Sequence, residues 1–363
     1  MKIILKLFVF YAVILLGLAM PASGFQATQD SRQKLHFYKP SDIRVQYTGR
    51  VDFTNPSLPR FWAPGVYIKI AFQGPFFDLL INDENKWGGN NYISVSIDDL
   101  PVKRIKLSGK SDTLSLSEGL DRSDHVITIC KSTESSIGYL ELVGFWCKKL
   151  ISPPPLPKYK VEFIGNSITC GTGSDQSGFA CGNGEWYDQH NAFLSYGPLT
   201  ARALDAQWQL TAVSGIGLTR SCCGGKLIMP DVFDKVNMSE NSIIWNFKNF
   251  QPDVVTVCLG QNDGVVETDL FCTAYVSFLQ SLRRRYPHAS FICLTSPMAD
   301  ENLSKVQKVY LERIVKEMNA AGDEKVYRYF FSKRYQNGCG GHPDLKEHQQ
   351  IAAELTGFIR TII

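Results

Sequence analysis

The sequence predicts two domains: an antiparallel β-sandwich of the jelly-roll kind, then a three-layer α/β/α domain built on a five-stranded, flavodoxin-like parallel sheet. Three observations carry this prediction. Residues 42–149 read as short alternating strands between turn residues. Ser152-Pro153-Pro154-Pro155-Leu156-Pro157 forms a proline-rich connector, and beyond it apolar runs alternate with helical windows.

In the first domain the alternating runs lie at 66–70, 92–97, 125–129 and 139–145. Regularly spaced short strands with no long helical window indicate a sandwich, which serves equally well as a carbohydrate-binding module or as a scaffold. The connector, residues 151–157, is stiff and extended because proline fixes φ. After it, apolar runs at 161–164, 209–213, 254–259, 291–294 and 326–330 alternate with helical windows at 192–204, 269–285, 302–320 and 344–362. That alternation implies parallel strands covered on both faces. The domains are therefore placed at 25–150 and 158–363.

Ahead of them, Lys2 and Lys6 precede an apolar run over residues 7–20 and then Pro21-Ala22-Ser23-Gly24. This is the pattern of an export signal over residues 1–24, cleaved near Gly24, and it predicts a secreted or periplasmic protein. No other segment is apolar for long enough to span a bilayer. The formal net charge of +3, with acids and bases mixed along the chain, leaves no basic stripe for nucleic acid.

Export permits disulfides, and none of the ten cysteines has zinc-like Cys-x-x-Cys spacing. Cys258 and Cys293 fall in apolar strand runs and read as buried free thiols. Cys170, Cys181, Cys222, Cys223 and Cys339 read as loop residues, and a bridge from Cys339 to Cys222 or Cys223 is the pairing expected to brace the site.

Four segments at strand exits carry chemistry. Gly165-Asn166-Ser167-Ile168-Thr169 follows the first strand of the α/β domain and delivers a serine to the carboxyl edge, where open α/β sheets bind ligands. Alone it reads equally as a turn or a helix N-cap. Ser214-Gly215 follows the second strand, where a glycine brings its backbone N–H close to a substrate. Gly260-Gln261-Asn262-Asp263 follows the third and offers the Asn262 side-chain amide. Gly340-Gly341-His342-Pro343-Asp344 precedes the last helix and supplies a histidine suited to general-base work. Ester cleavage at serine needs these parts: an activated hydroxyl, a base and oxyanion donors.

In that order the four segments resemble the blocks of the SGNH (GDSL-like) hydrolases. The preceding strand domain, with Leu114-Ser115-Leu116-Ser117-Glu118-Gly119-Leu120, His125-Val126-Ile127 and Lys131-Ser132-Thr133-Glu134, is similar to that of carbohydrate esterase family 2. The resemblance implies a carboxylic ester hydrolase of the acetylxylan esterase type, removing acetyl groups from plant-type polysaccharides such as xylan or glucomannan, with no metal or organic cofactor. It implies Ser167 as nucleophile and His342 as base. The implied oxyanion hole is the Ser167 N–H, the Gly215 N–H and the Asn262 side chain. Many SGNH enzymes carry an aspartate three residues before the histidine, where this chain has Cys339. A Ser-His dyad is therefore expected, with the carbonyl of Gly340 or Gly341 orienting the ring and Asp344 capping the following helix. Two rivals remain: a lipase or thioesterase on the same fold, and a carbohydrate-binding protein that has lost activity. Trp186 and Tyr187 are candidates for a sugar platform, with a structural role the alternative, and Asn237 and Asn302 open glycosylation sequons.

Overall fold

The computed structural model describes residues 35–363; the export signal read over residues 1–24 lies outside them. Nine strands come first: β1 (His36–Tyr38), β2 (Gln46–Thr48), β3 (Arg60–Phe61), β4 (Tyr67–Asp83), β5 (Tyr92–Ile97), β6 (Lys103–Lys106), β7 (Ser111–Ser115), β8 (Asp124–Lys131) and β9 (Leu140–Ile151). They pair antiparallel throughout. The long strand β4 organises them. Its first half pairs with β8 and its second half with β7, while β9 runs along its other edge. The run read at 66–70 is only the start of β4, which continues through Gly74-Pro75 to Asp83. The β4–β9 register shifts between Gln73 and Phe77, so the proline falls where no ladder donor is needed. Alternate residues of β4, from Ile68 to Ile81, are buried against Ile93, Val95, Ile127, Ile129, Leu142 and Phe145.

The connector is pinned at both ends. The Pro154 carbonyl accepts from Gln46 Nε2 at 3.3 Å, and the Pro157 carbonyl from Gln207 Nε2 at 2.7 Å. Next come β10 (Tyr159–Gly165), α1 (Ser167–Cys170), α2 (Tyr196–Ala203), β11 (Ala206–Ala212), α3 (Met229–Val232), β12 (Lys235–Asn237), β13 (Ser242–Ile244), β14 (Val254–Val257), α4 (Thr268–Arg285), β15 (Ser290–Leu294), α5 (Glu301–Ala320), β16 (Val326–Tyr329) and α6 (Leu345–Ile359). Five strands form a parallel sheet in the order β11-β10-β14-β15-β16. Its central strands β14 and β15 read as nearly continuous apolar runs because both faces are covered, whereas β10 and β11 carry buried polar residues such as Glu162, Gln209 and Thr211. Val255, Val257, Phe291 and Cys293 share a core with Tyr275 and Leu279 of α4 and with Leu311 and Ile314 of α5. The intervening Val254, Ile292 and Leu294 share another with Tyr196 of α2 and Ile351 and Leu355 of α6. The strand order reverses at β10, which makes its carboxyl end the switch-point crevice of the sheet. No described helix is long and apolar enough to cross a membrane.

The N-terminal strands and the parallel-sheet domain share a buried interface. Tyr67 stacks on Trp208 with ring centroids 4.0 Å apart, and Trp208 Nε1 donates to the Gly65 carbonyl. The fully buried Arg50 donates to the Lys235 carbonyl, to Glu162 and to Thr211. A buried guanidinium with these partners is compensated rather than stranded.

Candidate active site

β10 ends at Gly165, where a Cβ would meet Thr169 Oγ1 at 2.1 Å, so a side chain there would displace Thr169. Asn166 then caps α1, its Oδ1 accepting the Ile168 N–H at 3.2 Å, and Ser167 opens the helix. The N-cap reading of this segment holds for Asn166, and the cap places Ser167, 8% exposed, as the first residue of α1. Thr169 Oγ1 and Tyr196 Oη, 2.8 Å apart, hold the turn from below.

His342 Nε2 lies 2.8 Å from Ser167 Oγ. Its Nδ1 lies 3.1 Å from the Cys339 carbonyl oxygen. A carbonyl only accepts, so Nδ1 carries the proton and Nε2 is left to accept from the serine hydroxyl. The expectation that Gly340 or Gly341 supplies this carbonyl is corrected: it is Cys339. Gly340 and Gly341 take φ of 63° and 72°, and this left-handed turn folds the Cys339 carbonyl back toward His342, whose backbone N–H also approaches it at 3.3 Å. Cys339 thus contributes its backbone oxygen and not its side chain. Burial pushes the His342 pKa below its ordinary 6.5, against the opposing pull of the Cys339 carbonyl, so the ring is neutral at pH 7. Asp344 is occupied as the N-cap of α6, Oδ1 accepting the Glu347 N–H at 2.7 Å.

The cysteine pairing also differs from expectation. Cys339 is bonded to Cys181 across 158 residues, and Cys222 pairs with its neighbour Cys223. Cys339 faces the loop after α1, since its N–H donates to the Gly173 carbonyl at 2.8 Å, and that loop carries Cys181. Cys170 lies inside α1 rather than in a loop, and it is a buried free thiol like Cys258 and Cys293.

Gly215 has φ of 77°, and the Ile216 N–H returns to the Val213 carbonyl at 3.3 Å. This is a turn with positive φ at its third residue, which requires glycine. Asn262 Nδ2 donates to the Ile216 carbonyl at 2.8 Å, which ties the third block to the second and leaves one amide hydrogen for a ligand. Thr172 joins these two blocks to the serine: its N–H donates to the Ser167 carbonyl at 3.0 Å, and its Oγ1 lies 2.9 Å from Ser214 Oγ. A cavity of about 630 Å³ opens beside Gly215, walled by Val213, Ile216, Cys222, Cys223, Leu227 and Met238.

Sequence reasoning missed Asp263. Its buried carboxylate accepts from the N–H groups of Leu218, Thr219 and Arg220 and from Thr219 Oγ1, clamping the loop that follows Gly215. The two platform candidates separate. Tyr187 is buried with Tyr92 and Ile137, whereas Trp186 is half exposed and edge-on to His190. Asn237 is buried and donates to Glu240, so it does not present its sequon, while Asn302 is exposed. Among the described residues no group of three or more His, Cys, Asp or Glu is placed to hold a metal ion.

Comparison with known proteins fits this geometry. Residues 47–155 match the carbohydrate esterase 2 N-terminal family and residues 163–327 the GDSL-like lipase/acylhydrolase family. A solved family two carbohydrate esterase from Clostridium thermocellum, in complex with cellohexaose, is 30% identical. It superposes with a TM-score of 0.80 over 88% of this chain and 98% of that one. The chain belongs to carbohydrate esterase family 2, a family of carboxylic ester hydrolases. Cellulase/esterase CelE of Acetivibrio thermocellus is 33% identical over 334 residues, 87% of this chain but 39% of that protein, so the chain spans about two fifths of its length. An acetylxylan esterase / glucomannan deacetylase of Cellvibrio japonicus is 26% identical over 97% of this chain and 98% of its own length.

Proposed function

We propose that this family 2 esterase removes O-acetyl groups from plant-type polysaccharides such as xylan and glucomannan, after export from the cytoplasm. The observation that carries the proposal is the 2.8 Å contact between Ser167 Oγ and a neutral His342 Nε2. The substrate class rests on the full-length similarity to an acetylxylan esterase / glucomannan deacetylase. In this reading Ser167 and His342 form a dyad oriented by the Cys339 carbonyl. His342 takes the Ser167 proton as Oγ attacks the acetyl carbonyl, and the oxyanion forms against the Ser167 and Gly215 N–H groups and Asn262. His342 then gives that proton to the departing sugar hydroxyl. Water, deprotonated by the same ring, releases acetate and restores the serine.

The architecture assigned to this reading is a jelly-roll domain over residues 25–150, the connector at 151–157 and a three-layer SGNH domain over 158–363. The Cys339 carbonyl answers the argument for a lost activity, since the ring has an orienting partner without aspartate. The cavity beside Gly215 sets Val213, Ile216, Leu227 and Met238 beside Ser136, Ser221, Lys226 and Ser239; its apolar part is what the lipase-like rival would use, and this gives the test its second arm. The wild type is expected to release acetate from acetylated xylan and glucomannan and to lose rate on nitrophenyl esters longer than acetyl. A rate that climbs with chain length favours the lipase.

A further inference from the structure

Lys131-Ser132-Thr133-Glu134, at the end of β8, lies in the N-terminal domain yet is buried throughout. Glu134 is 1% exposed, and a buried carboxylate is retained only where it is well bonded. Its bonds leave its own domain. Oε2 accepts the Ser214 N–H at 3.1 Å, and Oε1 accepts the Ser214 hydroxyl at 2.7 Å. Thr172 Oγ1, whose backbone N–H holds the Ser167 carbonyl, lies 3.5 Å from the same Oε1.

The segment that carries Glu134 is itself fixed. Lys131 Nζ donates to the Thr133 and Glu134 carbonyls at 2.8 and 3.0 Å, and Thr133 Oγ1 donates to Asn91. The Ser132 carbonyl accepts the Ala192 N–H of the other domain. His190 Nε2 lies 3.3 Å from Glu134 Oε1 but without hydrogen-bond geometry. Burial pushes its pKa down to about 3, so it is a neutral neighbour.

Ser214 and Gly215 share one peptide plane, and that plane sets where the Gly215 N–H points. Glu134 grips Ser214 by both its N–H and its hydroxyl, and so fixes the position and orientation of the residue from which that plane extends. We propose that Glu134 is a positioning residue that holds the Gly215 N–H in the oxyanion hole, so the N-terminal domain completes the hydrolase site. This rests on the reading of Gly215 as an oxyanion donor.

The test is Glu134→Gln, which keeps the volume but replaces the charged carboxylate, with one oxygen on the Ser214 N–H and one on its hydroxyl, by an amide with a single acceptor oxygen. Rates on 4-nitrophenyl acetate and acetylated xylan are expressed per active site, counted by stoichiometric phosphonylation of Ser167. A well-aimed oxyanion donor contributes about 100- to 1,000-fold, and misaiming it forfeits part of that. The expected result is kcat down about 10- to 100-fold, KM within about twofold, and affinity for a tetrahedral boronic acid inhibitor reduced by the same factor as kcat/KM. A purely structural role lowers the number of active sites and leaves kcat per site intact. Ser214→Ala, which keeps the backbone bond, is expected to lose about 3- to 10-fold, and the double variant to be no slower than Glu134→Gln alone. Unchanged kcat per site in either single variant, or multiplying losses in the double, overturns the inference. Turnover that survives Ser167→Ala overturns the reading of the site together with it.

Discussion

Replacing both Cys181 and Cys339 by alanine separates what the disulfide does for stability from what the Cys339 backbone does for the base. The bridge spans 158 residues. Chain-entropy bookkeeping for a loop of that length gives an unfolded-state restriction of about 17 cal/mol/K, or about 5 kcal/mol at 25 °C, as an upper figure. A chain the size of the 35–363 span unfolds with an entropy of about 700 cal/mol/K, so 5 kcal/mol corresponds to a fall in Tm of about 7 °C. The catalytic geometry has other supports. The Cys339 N–H donates to the Gly173 carbonyl at 2.8 Å, and the Gly338 N–H to the His342 carbonyl at 2.6 Å. Because the ring is oriented by a carbonyl and not by the Cys339 side chain, kcat on acetylated xylan at 25 °C should stay within about tenfold of wild type. Differential scanning calorimetry and steady-state kinetics on the same preparation decide the matter. A Tm shift under about 2 °C refutes the assignment of the bridge as a major restraint, and a kcat loss as deep as that of His342→Ala refutes the claim that the backbone alone orients the ring.

Two further outcomes follow from the site. His342 must be neutral to accept the Ser167 proton, and its pKa is held below 6.5 by burial; rate therefore rises with pH through the lowered pKa and is full above it. The acid limb of kcat/KM on 4-nitrophenyl acetate should fall below pH 6.5, and a limb centred above 6.5 contradicts the assignment. Asn262→Ala removes the donor tied to Ile216, and kcat should fall by about 100- to 1,000-fold with KM little changed; a loss confined to KM places Asn262 in ground-state binding instead.

The parallel-sheet domain was legible because short apolar stretches alternate with helical windows, clearest at β14 and β15, and each stretch ends at a loop whose residue types are unusual. Ser167, Gly215, Asn262 and His342 stand out for that reason: each follows a sheet strand and comes at or before the start of the next helix. The length of β4 was hidden, because the run at 66–70 marks only its start and the register shift against β9 shows the strand continuing through Gly74-Pro75. Pairings across long separations were hidden as well. Cys181, Cys222 and Cys223 are all loop cysteines, and nothing local distinguishes the one that meets Cys339. Which carbonyl faces the His342 ring depends on the φ values of Gly340 and Gly341, which composition does not disclose. Asp263 and Glu134 look like ordinary acids in sequence; only burial against backbone N–H groups on distant segments gives them roles.

Acetate release from acetylated xylan and glucomannan by the wild type and by Ser167→Ala tests the central claim most directly. Ser167-dependent hydrolysis predicts steady release by the wild type and a fall of at least about 1,000-fold in the variant, since loss of a serine nucleophile typically costs more than that. Release by Ser167→Ala at near wild-type rate contradicts it.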